Sequence, residues 1–375
     1  HTRSSWVTGV QTCALLIFAK MILNKLYLQD FRQFGQKTLT FSSGINLLSG
    51  KNGCGKTTVL EAIYLLSSGK SFRAKKTEQM LRFAQPLSRV FGLLDDQTRL
   101  GVTLTTGNLA GKKVRVKTFS INKTNLSAPR FIGNLLAACF RPEDLRLIEG
   151  SAARRRDYLN SPLALVSLPY RESIKKCAQI IIRRNKTLTD IKLGKLPPDT
   201  LEYYNQQLIQ FSQTIQQQRQ KFIDFANTQQ QIFSQFHLNY YHRPVNAATI
   251  ETYQKKEIAC GFSLLGPQKD DFDIDYYFSG QNTPKSLLTY GSRGQHRLAV
   301  LWLKMIELAY LKSQTALQPL LLLDDICSEL DQEAKKLVYA LSSQQQTLVT
   351  ATDNMIELWG KNAQLLNLEN ATQNS

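Results

Sequence analysis

Gly50-Lys51-Asn52-Gly53-Cys54-Gly55-Lys56-Thr57 sets three glycines, a lysine and a hydroxyl at a spacing suited to phosphate. Glycines let successive backbone N–H groups turn inward onto phosphate oxygens, where a Cβ would obstruct them. Lys56 is placed to reach the β- and γ-phosphates, and the Thr57 hydroxyl is a hard oxygen ligand for Mg²⁺. The octet follows a short apolar run, Ile45-Asn46-Leu47-Leu48, and opens a helical pattern that begins with Thr58. That strand–loop–helix order, with the helix N-terminus facing the loop, predicts a nucleoside-triphosphate site with ATP and Mg²⁺ as cofactors.

A second chemical element stands near the other end of the chain. Pro319-Leu320-Leu321-Leu322-Leu323-Asp324-Asp325 is an unbroken apolar run closed by two acids, the pattern of a buried parallel strand. Asp324 at the strand tip is the expected second Mg²⁺ ligand beside Thr57. Asp325 is the expected base that orients the attacking water, and Lys56 its catalytic companion on the phosphates. About thirty residues earlier, Ser292-Arg293-Gly294-Gln295 heads an amphipathic helix carrying Leu298, Leu301, Trp302, Met305 and Ala309. Alone, Ser292 is a helix cap. After a phosphate loop and before a strand ending in paired acids, Ser292, Gly294 and Gln295 specify the layout of an ABC-type ATPase. There the capped helix of one subunit completes the γ-phosphate site of another, so an ATP-dependent homodimer is expected. A small-molecule P-loop kinase has no use for this element.

Several segments, in order, resemble the RecF family of bacterial recombination proteins. They are Met21 to Arg32, the phosphate-loop octet, Phe140-Arg141-Pro142-Glu143-Asp144-Leu145, Arg155-Arg156-Asp157-Tyr158-Leu159, Gly266-Pro267, Ser292 to Gln295, and Leu323 to Asp331. Arg293 is usual in that family where transporters carry glycine. Gln268 follows the Gly-Pro pair where the family usually has histidine. The resemblance implies an α/β fold: an ABC/SMC-type ATPase head with a stub in place of long coiled-coil arms. It implies an ATP-gated, slowly hydrolysing DNA-binding dimer that works with RecR and RecO to place RecA at single-strand gaps and the adjacent duplex. In such heads the early region lies against the nucleotide, which makes Arg32 a candidate phosphate or base contact. The competing reading is an SMC-like, nucleotide-gated scaffold that binds proteins and no DNA.

These motifs need elements to hold them. Residues 87–128 alternate as an antiparallel β meander flanking the parallel core. After residue 150 the period changes to helical: Tyr170, Ile174, Cys177, Ile181, Leu188 and Ile191 form one stripe, and Leu201, Tyr204, Leu208, Phe211, Ile215, Phe222, Phe225, Ile232 and Phe236 a second. Pro197-Pro198 between them predicts a helical hairpin whose glutamines lie mostly on its solvated face. The expected division is a head segment at 21–150, a helical arm at 151–254 and a second head segment at 255–375. Residues 1–20 read as a leader foreign to the fold, with the character of translated adapter sequence. Thr347 to Thr352 reads as a last parallel strand, with Thr350 or Thr352 sensing the γ-phosphate.

Composition is consistent with these expectations. Lys plus Arg number 47 against 29 Asp plus Glu, a formal charge of +18 that favours a polyanionic partner. Arg154, Arg155 and Arg156 are the candidate DNA contacts, with Arg183-Arg184 and Lys112, Lys113, Arg115 and Lys117 as further basic groups. Six scattered cysteines without a Cys-x-x-Cys pair predict reduced thiols and a cytoplasmic location. No run of eighteen apolar residues is present to span a membrane.

Overall fold

The computed structural model describes residues 19–229, 234–277, 283–326, 330–350, 359 and 363–369. Its centre is a parallel sheet whose described strands run, in spatial order, Ala137–Phe140, Leu320–Asp324, Thr347–Thr350, Ile45–Ser49 and Gln364–Asn367. Period-two alternation sends these strands' side chains to two different cores. Leu48, Leu320, Leu322 and Leu348 face one apolar cluster; Leu47, Leu321, Leu323 and Val349 face the other.

The first cluster holds the helix that follows the phosphate loop, Lys56–Ser68. It lies between the parallel sheet and an antiparallel one. The antiparallel sheet orders its strands Thr124–Leu126, Lys117–Ile121, Arg99–Thr105, Leu87–Leu94, Leu23–Phe31 and Phe34–Thr40. Val59, Leu60, Ala62, Ile63, Leu65 and Leu66 are all fully buried. A helix apolar on every side is what a position between two sheets requires. The meander expected from residues 87–128 is present, joined by two strands from the start of the chain.

The second cluster joins the other face of the parallel sheet to the helix Arg293–Thr315 and to the arm. The expected hairpin is formed by Leu168–Lys192 and Glu202–Thr228, antiparallel across the Pro197-Pro198 turn. Its seam differs in detail. Ile180 is buried and Ile181 only packs against the core's edge, and Phe236 belongs to the strand Phe236–Tyr241. Two arginines occupy seam positions. Arg184 is fully buried, donating to Glu257, Asn205 and Ser263. Arg219 donates to Asp270 at 2.7 Å, the Pro267 carbonyl, Asn160 and Tyr170. Gln216 is buried too, donating to Asp270 and to the Arg243 carbonyl. These polar groups are why apolar periodicity alone misplaces part of the seam. The helix Ala247–Cys260 runs across the expected boundary at 254, and the apolar cluster continues from arm to head without a break.

Ala19–Lys20 pairs with Leu317–Gln318; the rest of the expected leader lies outside the described residues, as does Thr352. Thr347–Thr350 is not the last strand, because Gln364–Asn367 adds an edge beside Ile45–Ser49. Cys54, Cys139, Cys177 and Cys260 are free thiols. Among the described residues no helix is long and apolar enough to cross a membrane.

Candidate ATP site

The phosphate loop is held open by backbone conformations that favour glycine. Gly53 has φ 84° with nothing within 4 Å of where a Cβ would stand, leaving that side clear. Gly55 has φ 109°, and a Cβ there would collide with the Phe34 ring and the Gln33 amide. The Lys56 ammonium donates to the carbonyls of Gly50 at 2.5 Å and Lys51 at 3.2 Å. Incoming phosphate oxygens would replace these two carbonyls as its partners. A cavity of about 410 Å³ above the loop is lined by Asn52, Gly53, Gly55, Lys56, Thr57, Thr58, Gln33, Arg73, Asp325 and Thr350.

The strand tips close the site. Thr57 Oγ1 donates to Asp324 Oδ1 at 2.8 Å, and Thr350 Oγ1 lies 3.1 Å from the same oxygen. The Asp325 N–H donates to Thr350 Oγ1 at 2.8 Å, and Asp325 itself takes the left-handed conformation at φ 49°. That twist carries Asp325 to the cavity wall while Asp324 stays 8% exposed beside Thr57. Burial pushes the Asp324 carboxyl above its ordinary range, and hydrogen bonds from Thr57 and Thr350 offset only part of that rise. A hydroxyl and a carboxylate 2.8 Å apart beside a phosphate cradle form an all-oxygen donor set that fits Mg²⁺. Thr57 and Asp324 are the residues that would hold it, and the ion would supply charge neutralisation on the phosphates.

Arg32 is not on the cavity wall. Its guanidinium makes two bonds to Glu61 on the phosphate-loop helix, at 2.9 and 2.6 Å, and Glu61 is fully buried. Ser71 also donates to Glu61. Arg32 therefore anchors the helix, and its neighbour Gln33 faces the cavity, accepting a bond from Thr58. Gln33 and Arg73 also line the cavity, and neither lies in a phosphate-loop pattern. Arg73's place in the basic run Lys70 to Lys76, directly after the helix, was the available signal.

The helix Arg293–Thr315 begins with a capping box. Ser292 Oγ accepts from the Gln295 N–H at 3.3 Å, and the Ser292 N–H donates to Gln295 Oε1 at 2.8 Å. Ser292, Arg293 and Gly294 are exposed, and none of them lines the cavity over the phosphate loop of the same chain. Farther along, Lys304 lies 3.4 Å from Asp144 and 3.1 Å from Glu307. Burial alone would lower the Lys304 ammonium, but Asp144 and Glu307 outweigh it and hold it above the ordinary lysine range. Arg141 pairs with Asp144 at 2.8 Å and lies over the Phe72 ring. The Phe140 to Leu145 segment thus keys this helix to the edge of the phosphate-loop region.

Of the three candidate DNA arginines, two are engaged inside the fold. Arg155 makes a two-pronged bond to Asp271 at 2.7 and 2.8 Å and donates to the carbonyls of Ile148 and Gly150. Arg156 donates to the Asp270 carbonyl at 3.0 Å. Arg154 reaches the Glu143 carbonyl at 3.5 Å and is the least committed of the three. Gln268 donates to the Leu265 carbonyl, and its buried Oε1 has no hydrogen-bond partner.

The family model described as RecF/RecN/SMC N terminal domain matches residues 22–374. The DNA replication and repair protein RecF of Limosilactobacillus fermentum is 31% identical over 368 residues, 88% of this chain and 92% of that protein. The chain belongs to the RecF family. A RecF of Thermoanaerobacter is likewise 31% identical, across 88% of this chain and 94% of its own length. Two solved RecF structures from the RecFOR pathway, described as RecF-ATPrS and RecF-ATP, superpose with a TM-score of 0.78 each. They are 27% and 25% identical and cover 89% and 93% of this chain, and 93% and 96% of their own. With the layered sheets above, the fold is that of an ABC/SMC-type ATPase head.

Proposed function

We propose that the chain is an ATP-gated, DNA-binding dimer of recombinational repair. It would act with RecR and RecO to help load RecA at single-strand gaps. One observation carries the gating: the phosphate half of the site and the Ser292 half are both built, yet they do not meet within one chain. A second copy, related by a two-fold axis, would bring Ser292 and Gly294 to the γ-phosphate. Thr57 and Asp324 would hold Mg²⁺. Lys56 would leave its loop carbonyls for the β- and γ-phosphates. Asp325, set on the wall by its left-handed backbone, would orient the water that attacks the γ-phosphate and accept its proton. Hydrolysis would separate the copies and act as a slow timer.

The test is mass in solution with ATP and with ADP, followed by duplex DNA binding across a salt series. Dimerisation with ATP but not ADP, and a log affinity that falls linearly with log salt at a slope of about 0.9 per neutralised phosphate, support the proposal. The scaffold reading draws strength from Arg155, Arg156 and Arg184, whose charges are engaged inside the fold. Salt-insensitive or absent DNA binding by the ATP-bound dimer would decide for it.

A further inference from the structure

We infer that the groove beside Tyr241, at the joint of arm and head, binds single-stranded nucleic acid by stacking bases on its aromatic rings. The inference rests on the DNA-acting reading above but not on the ATP-gated dimer. The groove measures about 680 Å³, and its walls include Tyr241, His242, Arg243, Leu264 and Lys269. Flat aromatic surface is left in water there: Tyr241 is 56% exposed and the nearby Phe262 45% exposed. One cation sits on the Phe262 ring, and the groove-lining Arg243 sits on a further ring, Tyr253. Lys269 Nζ is 5.7 Å from the Phe262 ring centre, while Arg243 and Lys256 lie 5.2 and 5.8 Å from that of Tyr253. The His242 ring already stacks on Tyr240 at 4.6 Å and 18°, the geometry a base would extend.

The walls are fixed from behind. Tyr240 donates to the buried Asp270 at 2.5 Å, and Asp270 is the residue after Lys269. Gln216 of the arm donates to both Asp270 and the Arg243 carbonyl. On the adjoining strand Asp271, opposite Tyr241, pairs with Arg155, while Asp273 accepts from Ser286 and Asp275 from Asn239, both at 2.7 Å. Interleaved rings and cations suit a strand whose bases are unstacked, with phosphates on the lysines and arginine. Duplex hides the faces of its bases, and a ring-free acidic chain such as polyglutamate has no flat side chains to place on the rings.

The test uses the full chain and fluorescence anisotropy with three labelled probes: an oligothymidylate, an abasic strand of the same length, and a duplex. The parent should bind the oligothymidylate at least tenfold more tightly than the abasic strand. The double change Tyr241→Ala and Phe262→Ala should weaken oligothymidylate binding about tenfold and leave duplex binding within twofold. Tyr241→Leu with Phe262→Leu keeps apolar bulk without the flat face, and should lose affinity equally. Arg243→Gln with Lys269→Gln should flatten the single-strand salt slope by about 1.4, at about 0.7 per contact. The groove is excluded if the double variants bind oligothymidylate like the parent, if the abasic strand binds equally well, if duplex binding falls equally, or if polyglutamate competes as well as DNA. A parent that binds duplex but no single strand sinks the groove alone, whereas loss of all DNA binding sinks the broader reading too.

Discussion

Asp324 shows how the site spends stability on function. Burial makes the folded chain hold the Asp324 proton more tightly than the unfolded chain does. Above the ordinary aspartate value of 3.8 the ionised group therefore costs stability, and the cost fades as pH falls back through the raised value. Asp324→Asn should melt a few degrees above the parent at pH 7 without nucleotide, the gap closing toward pH 4. Mg²⁺–ATP should raise the melting temperature of the parent and not of the variant, which thermal scans at several pH values would check. Arg184 is the opposite case, a charge whose role is structural. It and Glu257 are fully buried at 2.6 Å. Arg184→Ala should cost about 3–5 kcal/mol in urea unfolding, because a buried carboxylate is left without its partner, while DNA affinity of the folded fraction stays unchanged. The two residues also mark the limit of legibility in the sequence. The closeness of Thr57 and Asp324, 2.8 Å apart, could be expected from the sequence because each stands in a short local motif. Arg155, Arg156 and Arg184 read as free basic groups because Asp271, Asp270 and Glu257, their partners, lie 73 to 116 positions away and no local spacing points to them.

Among the elements, the helix Arg293–Thr315 has the most to do: its N-terminus faces solvent, and its body is keyed by Lys304 to Asp144 and Glu307. Ser292→Arg removes the capping hydroxyl and adds bulk and positive charge. It should leave the ATP affinity of one subunit within about twofold but block dimerisation and hydrolysis. Asp325→Asn should do the reverse, holding an ATP-bound dimer, because the proposed water activation would be lost while Thr57 and Asp324, the proposed Mg²⁺ ligands, remain. Sedimentation with ATP, alongside hydrolysis measured over a protein concentration series, separates the outcomes. A Ser292→Arg protein as active as the parent would remove the case for a site completed in trans. The helices and buried strands themselves were legible, since long periodic segments announce their type. The edge strand Gln364–Asn367 was not, because its exposed and half-buried alternation, Gln-Leu-Leu-Asn, is short and half polar. Phe236 was drawn into the wrong element because an aromatic four positions beyond Ile232 suits a helix as well as a strand.

At the scale of the molecule, the start of the chain can be tested directly. Met21 already bonds to the fold, its N–H donating to the Gln318 carbonyl at 3.2 Å and its sulfur accepting from the Leu136 N–H at 3.0 Å. Of the described residues, a chain beginning at Met21 loses Ala19–Lys20 and their short pairing with Leu317–Gln318, and it should keep the parent's melting temperature within about 2 °C and its ATP binding. The order of the parallel sheet has a consequence in time. Ile45–Ser49 is flanked by Thr347–Thr350 and Gln364–Asn367, so a strand made early on the ribosome has no neighbour in its sheet until roughly 300 further residues have been made. At about 5–20 residues per second, the phosphate-loop segment waits on the order of 15–60 seconds with its apolar edges open. Nascent chains stopped before Thr347 should therefore stay protease-sensitive around the phosphate loop and retain no ATP, while chains released past Asn367 should gain both protection and binding together. In the cell, nucleotide competence would arrive late and all at once, as the last strands are threaded in.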